Sequence, residues 1–166
     1  MAEAGTKILV LTTGGTFDKI YFDALSRYEI GDPQAPRLLE EARAACVWEV
    51  RELMRKDSLD IDDADRAAIV KAVAESEATR IVVTHGSDTM TQSALALGEA
   101  AAGKTVVFTG AMAPARFAET DAPFNLGMAF AAAQVAPPGV YIAMSGTVFR
   151  ADRARKDRAR GIFVGT

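Results

Sequence analysis

Four short, nearly unbroken apolar runs constrain this chain more than any other feature. They are Lys7–Thr12 (KILVLT), Arg80–Thr84 (RIVVT), Thr105–Thr109 (TVVFT) and Val140–Met144 (VYIAM). Each has strand length and is rich in β-branched or aromatic residues. A strand that is apolar on both sides must be covered on both sides, which parallel sheets achieve with crossover helices. A fifth run, Val47–Leu53, alternates between two faces and reads as a further strand. Helices are expected over residues 37–45, 62–77, 88–102 and 121–134. The second gathers Ala64, Ala67, Ala68, Val70 and Ala74 on one broad face, and the third stops at Gly103. Asp121 is expected to cap the last helix, and Pro137-Pro138-Gly139 to break it. The pattern predicts one α/β domain, with a mostly parallel sheet between helical layers, in the Rossmann or flavodoxin manner.

Two segments fall outside that alternation. Residues 17–36 contain Gly31, Pro33 and Pro36 without a steady period, and read as a long loop of the functional or mobile kind. Residues 150–160 hold six basic and two acidic side chains, and read as a tail with a solvated helix face. The net charge of −3 argues against a general nucleic-acid binder. One cysteine, Cys46, and one histidine exclude an internal disulfide and supply no metal cluster, so no metal and no cofactor are expected. No apolar stretch reaches membrane length and the first residues lack a secretory signature. The cytoplasm is the expected location.

In open α/β sheets, ligands bind beyond the carboxyl ends of the strands. Thr13-Gly14-Gly15-Thr16 lies at one such end. Its paired glycines allow a tight turn whose N–H groups can face an anion, but Thr16 needs a nearby base to become a nucleophile. Tyr21 and Tyr28, on the following loop, are candidates. Thr84-His85-Gly86-Ser87-Asp88-Thr89 lies at another strand end. Asp88 suits either a helix cap or a substrate ammonium. His85 is a weaker base candidate, because a single histidine beside a strand-end glycine is more often structural. Lys56-Asp57-Ser58 follows the alternating strand, and Asp and Ser there suit an α-amino and α-carboxylate pair.

The run L-x-T-G-G-T at 11–16, followed by V-T-H-G-S-D-T-M at 83–90, resembles the two signatures of bacterial-type L-asparaginases. Thr109–Pro114 is similar to that family's G-A-M-R-P run, Asp121–Leu126 to its D-G-P-F-N-L, and Met144–Val148 to its M-N-D-T-V. Five motifs in the family's order cover residues 7 to about 160. The resemblance implies that residues 1–166 form the catalytic, N-terminal-type asparaginase domain. Thr16 would attack the side-chain amide of asparagine, giving an acyl-enzyme that water then releases as aspartate. Ser87 and Asp88 match the family's hydroxyl–Asp pair, with Ser where Thr is usual. The amino-acid end would be held by Gly15, Asp57, Ser58, Gly86, Ser87 and Asp88. Of the loop tyrosines, Tyr28 matches by its Tyr-x-x-Gly context and Tyr21 is nearer Thr16 along the chain; Tyr21 is taken as the assistant.

Two departures accompany the resemblance. It places the triad lysine late in the helix after P-F-N-L, where this chain has Ala133-Gln134, so Lys156 is the expected substitute. Relatives also carry a smaller C-terminal domain, so a short form or a fragment is expected. The implied activity is hydrolysis of L-asparagine with low glutaminase activity, in a cytoplasmic homodimer without cofactor, membrane or nucleic-acid partner. The competing expectations are an amino-acid-binding domain without turnover, and the amidase component of a tRNA-dependent amidotransferase.

Overall fold

The computed structural model describes residues 6–166; the expected absence of a leader over the first five residues lies outside them. Six strands form the central sheet: β1 (Ile8–Gly14), β4 (Trp48–Lys56), β5 (Arg80–Thr84), β6 (Thr105–Thr109), β7 (Gly139–Met144) and β8 (Thr147–Arg150). Their order is β4-β1-β5-β6-β7-β8. All neighbours are parallel except β7 and β8, which pair antiparallel across the Ser145-Gly146 turn.

The helices α1 (Ala35–Glu41) and α4 (Ala122–Val135) cover one face, and α2 (Asp63–Glu75) and α3 (Met90–Ala96) cover the other. Period-two geometry sorts the strand residues. Ile8, Val10, Val82 and Val107 pack with Leu38, Leu39 and Leu126. Leu9, Leu11, Ile81, Val83 and Phe108 pack with Ile69, Val73 and Met90. The three-layer α/β class is therefore the one the apolar runs require.

The strand order places a switch point between β1 and β5, since the chain runs outward to β4 on one side and to β6 and β7 on the other. Crevices open at such points. Both glycine-containing turns of interest lie there.

Several elements differ from the sequence expectation. Residues 17–36 are not one loop: β2 (Lys19–Phe22) and β3 (Arg27–Ile30) form an antiparallel hairpin within them. Helix α1 starts at Ala35 rather than Arg37, with Pro36 in its first turn where the missing N–H is harmless. Helix α3 ends at Ala96 and continues as a 3-10 turn over Gly98–Ala101, so Gly103 does not terminate it. The basic segment is not a helix face. It forms the end of β8, a 3-10 turn, and β9 (Ala154–Asp157), which pairs antiparallel with β10 (Ile162–Gly165). Ala151, Ala154 and Phe163 are buried and anchor this second hairpin to the core, while most of its arginines point outward.

Candidate active site

Gly14 and Gly15 end β1 at φ 98° and 77°, a left-handed backbone that side-chain-bearing residues rarely adopt. Space imposes the same choice at Gly15: a Cβ there would lie 2.5 Å from the backbone nitrogen of Gly86. The turn bearing Thr16 therefore packs directly on the turn bearing Ser87 and Asp88. A Cβ on Gly86 would in turn lie 2.5 Å from the Cβ of Ser58. The Gly15 N–H donates to Lys56 O at 2.8 Å, and Thr89 Oγ1 donates to Ser58 O at 2.7 Å. Three strand-end turns thus meet at one point, bringing together Gly15, Thr16, Asp57, Ser58, Gly86, Ser87 and Asp88.

Lys156 joins this group from β9. Its cross-strand partner, Phe163, is buried, and Ala154 lies on the same face of the hairpin. That face looks onto the β5 turn. Lys156 Nζ donates to Ser87 Oγ at 2.8 Å and to Asp88 Oδ1 at 2.9 Å. Arg158 Nε stands 3.6 Å from the same Asp88 oxygen.

Residues 133–134, where the resemblance put the triad lysine, lie toward the amino-terminal ends of the strands, opposite the strand-end turns. The carbonyl of Ala136, just past α4, accepts from Arg80 and Thr105, the first residues of β5 and β6. Ala133 is buried and Gln134 bonds Phe130 O. A cation there could not reach Ser87.

Asp57 pairs with Lys19 of β2, Oδ2 to Nζ, at 2.8 Å. Burial pushes the Asp57 carboxyl up, but hydrogen bonds from Lys19 and the Leu59 amide, with the charges of Lys19 and Lys156, hold it below the usual carboxylate value. Lys19, Tyr28, Ile30 and Asp57 line a crevice of about 470 Å3. Tyr21 sits directly across the hairpin from Tyr28, with ring centroids 5.4 Å apart, but does not line that crevice. A larger hollow of about 530 Å3, lined by Lys7, Glu49, Arg51 and Glu75, lies at the amino ends of β1 and β4, away from these turns.

His85 is structural. It is fully buried, its Nδ1 lies 2.7 Å from Gly86 O and its Nε2 2.8 Å from Ser93 Oγ. Burial pushes its pKa down to about 4, so the ring is neutral at pH 7 with both nitrogens engaged. Asp88 does not cap α3, whose N-cap position is Thr89. Asp121 stands at the N-cap of α4 but makes no capping bond. Its carboxylate accepts from the Met112 and Ala113 N–H groups and from Asn125 Nδ2, tying the β6 turn to α4.

Sequence reasoning missed Lys19 and Asp18. Asp18 is buried beneath the first hairpin, where its carboxylate accepts from the Gln34 N–H at 2.8 Å and its carbonyl from the Gly31 N–H at 2.8 Å. Burial pushes its carboxyl up to about 7, against the lowering effects of the Gln34 amide and Arg116. A hidden acid beside a strand-end threonine was the available signal.

Comparisons with known proteins place this arrangement. Residues 7–162 match the family model described as "Asparaginase, N-terminal". The L-asparaginase of Thermococcus kodakarensis is 34% identical over 165 residues, covering 94% of this chain and 49% of that protein. A Haemophilus influenzae protein named "Probable L-asparaginase periplasmic" is 31% identical over 154 residues, 87% of this chain and 44% of its own length. That name shows that family membership does not carry the cytoplasmic expectation. Among solved structures, the Thermococcus kodakarensis enzyme superposes with TM-score 0.80 at 29% identity, over 96% of this chain and 51% of that one. L-asparaginase I from Vibrio cholerae superposes with TM-score 0.84 at 26% identity, over 98% and 52%. The chain spans about half the length of the relatives it matches. With glycine-bearing strand-end turns converging at the switch point of a matching sheet, the chain belongs to the asparaginase family, aligned with the family's N-terminal region.

Proposed function

We propose that the chain hydrolyses L-asparagine to L-aspartate and ammonia through a Thr16 acyl-enzyme. One observation carries this reading: the Thr16 turn and the Ser87-Asp88 turn are in backbone contact at Gly15 and Gly86. A small amino acid can therefore touch both. Thr16 Oγ1 attacks the side-chain carbonyl carbon, and Tyr28 accepts its proton. We assign this role to Tyr28 over Tyr21 because Tyr28 shares the Asp57 crevice. The Gly15 N–H is already given to Lys56 O, so the backbone N–H groups of Thr16 and Ser87 hold the oxyanion, an effect of about 3–4 kcal/mol per donor. The proton taken from Thr16 is passed on through Tyr28 to the departing nitrogen as the C–N bond breaks, so ammonia leaves. Water then adds at the same carbon, its oxygen stays on the aspartate, and its proton returns to Thr16 Oγ1 as the ester bond breaks.

Ser87, hydrogen-bonded to Lys156, positions that water. Asp57, Ser58 and Asp88 hold the α-amino and α-carboxylate groups. Glutamine is longer by one methylene and sets its amide off register when its α-groups are fixed, so low glutaminase activity belongs to this reading. Discrimination by one methylene is worth about 1–3 kcal/mol. A homodimer also belongs to it. Helix α4 has no charged residue from Ala122 to Val135, and its Phe124 and Val135 are exposed, which suits burial against a second copy.

The test is ammonia release from L-asparagine by the intact chain beside Thr16→Ala. Release by the parent and loss in the variant are expected. Parent-level release by Thr16→Ala would remove Thr16 from its role, and none by the parent would remove the activity.

A further inference from the structure

Both carboxylates assigned to the substrate ammonium already hold a cation of the chain itself. Asp88 faces Lys156 at 2.9 Å, and Asp57 faces Lys19 at 2.8 Å. The two pairings differ in what else restrains the lysine. Lys156 also donates to Ser87 and sits on a hairpin pinned by buried Phe163, so its ammonium is fixed from several directions. Lys19 is on β2, and among the described residues its Nζ has no ion-pair partner besides Asp57. Both side chains of the Lys19–Asp57 pair are partly exposed, at 26% and 31%. Lys19 therefore can leave, and Lys156 cannot without releasing Ser87.

Chemistry and position point the same way. The lysine Nζ and a substrate α-ammonium are both primary ammonium groups, so they compete for Asp57, each weakening the other's hold by like-charge repulsion. Lys19 also lines the crevice that Asp57 and Tyr28 line, while Ser87, Asp88 and Lys156 line a neighbouring hollow, so an ammonium that reaches Asp57 meets Lys19.

We infer that Lys19 is a specificity-determining residue that occupies the α-ammonium subsite at Asp57 until an amino-acid ligand displaces it, an assignment that rests on reading this crevice as the asparagine site. A ligand with an α-ammonium must break the Lys19–Asp57 pair. A ligand without one, such as succinamate (asparagine lacking its amino group), leaves the pair intact. Lys19 thus narrows the preference for asparagine over its desamino analogue. Because Lys19 is on the hairpin, its displacement loosens β2 as the amino acid binds.

The experiment uses the full chain with Lys19→Met, which keeps length and removes charge, and Lys19→Arg, which keeps charge. Ammonia release is followed from L-asparagine and from succinamate, and calorimetry measures binding of L-aspartate and succinate. Lys19→Met should lower KM for asparagine and Kd for aspartate about fivefold, the scale of one partly exposed ion pair. The kcat should change less than about twofold, as expected for a purely binding effect. Succinamate and succinate should be unmoved, and Lys19→Arg should behave as the parent. Unchanged aspartate affinity in Lys19→Met would overturn the assignment. So would equal weakening for all four ligands, which would make Lys19 a holder of the ligand carboxylate. If no chain releases ammonia while Lys19→Met still tightens aspartate alone, the catalytic reading fails and the role of Lys19 stands. Aspartate bound by neither chain overturns that role as well.

Discussion

The floor formed by the three strand-end turns and the hairpin beside it are built on different principles. That floor is close-packed: Gly15 on the Gly86 backbone and Gly86 on the Ser58 side chain, with no room for a methyl group between them. Thr13 Oγ1 is bonded to Thr84 O and both His85 nitrogens are engaged, so little there can rearrange. The hairpin β2–β3 instead exposes Tyr21, Phe22, Leu25 and Tyr28, each by 41–53%. It is held by the Lys19–Asp57 pair, two hydrogen bonds at Asp18, and a ring contact of Tyr28 with Phe117. Segments with few buried apolar contacts open at lower free energy than the core. The contrast teaches a division of labour: groups that must be held to fractions of an ångström sit on the floor, and groups that adjust to the ligand sit on the hairpin.

The largest expected effect breaks the floor. Lys156→Met removes the donor to Ser87 and leaves Asp88 without its closest cation. Ammonia release should fall about a hundredfold or more, in the range that a positioned proton-handling group supplies. A loss under about threefold would move Lys156 out of the site.

A smaller effect tests the root of the hairpin. The folded pKa of Asp18, about 7, lies above its unfolded value. Such a group favours the fold fully below about pH 4, and that contribution is lost as pH rises toward 7. Asp18→Asn keeps an acceptor for the Gln34 N–H and removes the buried charge. It should raise stability by about 2 kcal/mol at pH 8 and leave it nearly unchanged near pH 4, read from denaturant unfolding at both pH values. Equal stability of the two chains at pH 8 would show that Asp18 is not a strained acid.

The smallest effect lies at the exposed ring. Tyr21→Phe should change kcat by less than about twofold, because Tyr21 is half-exposed and outside the Asp57 crevice. A loss as large as that of Lys156→Met would return Tyr21 to the role we give Tyr28.

The same contrast explains what was legible in the sequence. Strands β1, β5, β6 and β7 are written as apolar runs because both faces are buried, and their ends carry Thr16, Ser87 and Asp88. The strand-end rule found those residues without coordinates. Hairpin β2–β3 left no such trace: four-residue strands whose tyrosines and charged residues face solvent lack the burial that creates a pattern. The β9–β10 hairpin was hidden for another reason. Its anchors are two alanines, Ala151 and Ala154, and the distant Phe163, while alternating arginines dominate the composition. Reading it as a helix face lost the strand that carries Lys156 to Ser87. The Lys19–Asp57 pair joins residues 38 positions apart across an unrecognised hairpin, and no local rule reports it.

Hydrolysis at this site requires that one bound amino acid reach both turns. A crystal structure of the chain soaked with L-aspartate tests this directly. It should show the ligand's side-chain carboxyl within hydrogen-bond distance of Thr16 Oγ1, with its ammonium at Asp57 and Asp88 and Lys19 Nζ withdrawn. Aspartate bound away from the Thr16 and Ser87 turns, or an occupied crevice with Thr16 out of reach, would contradict it.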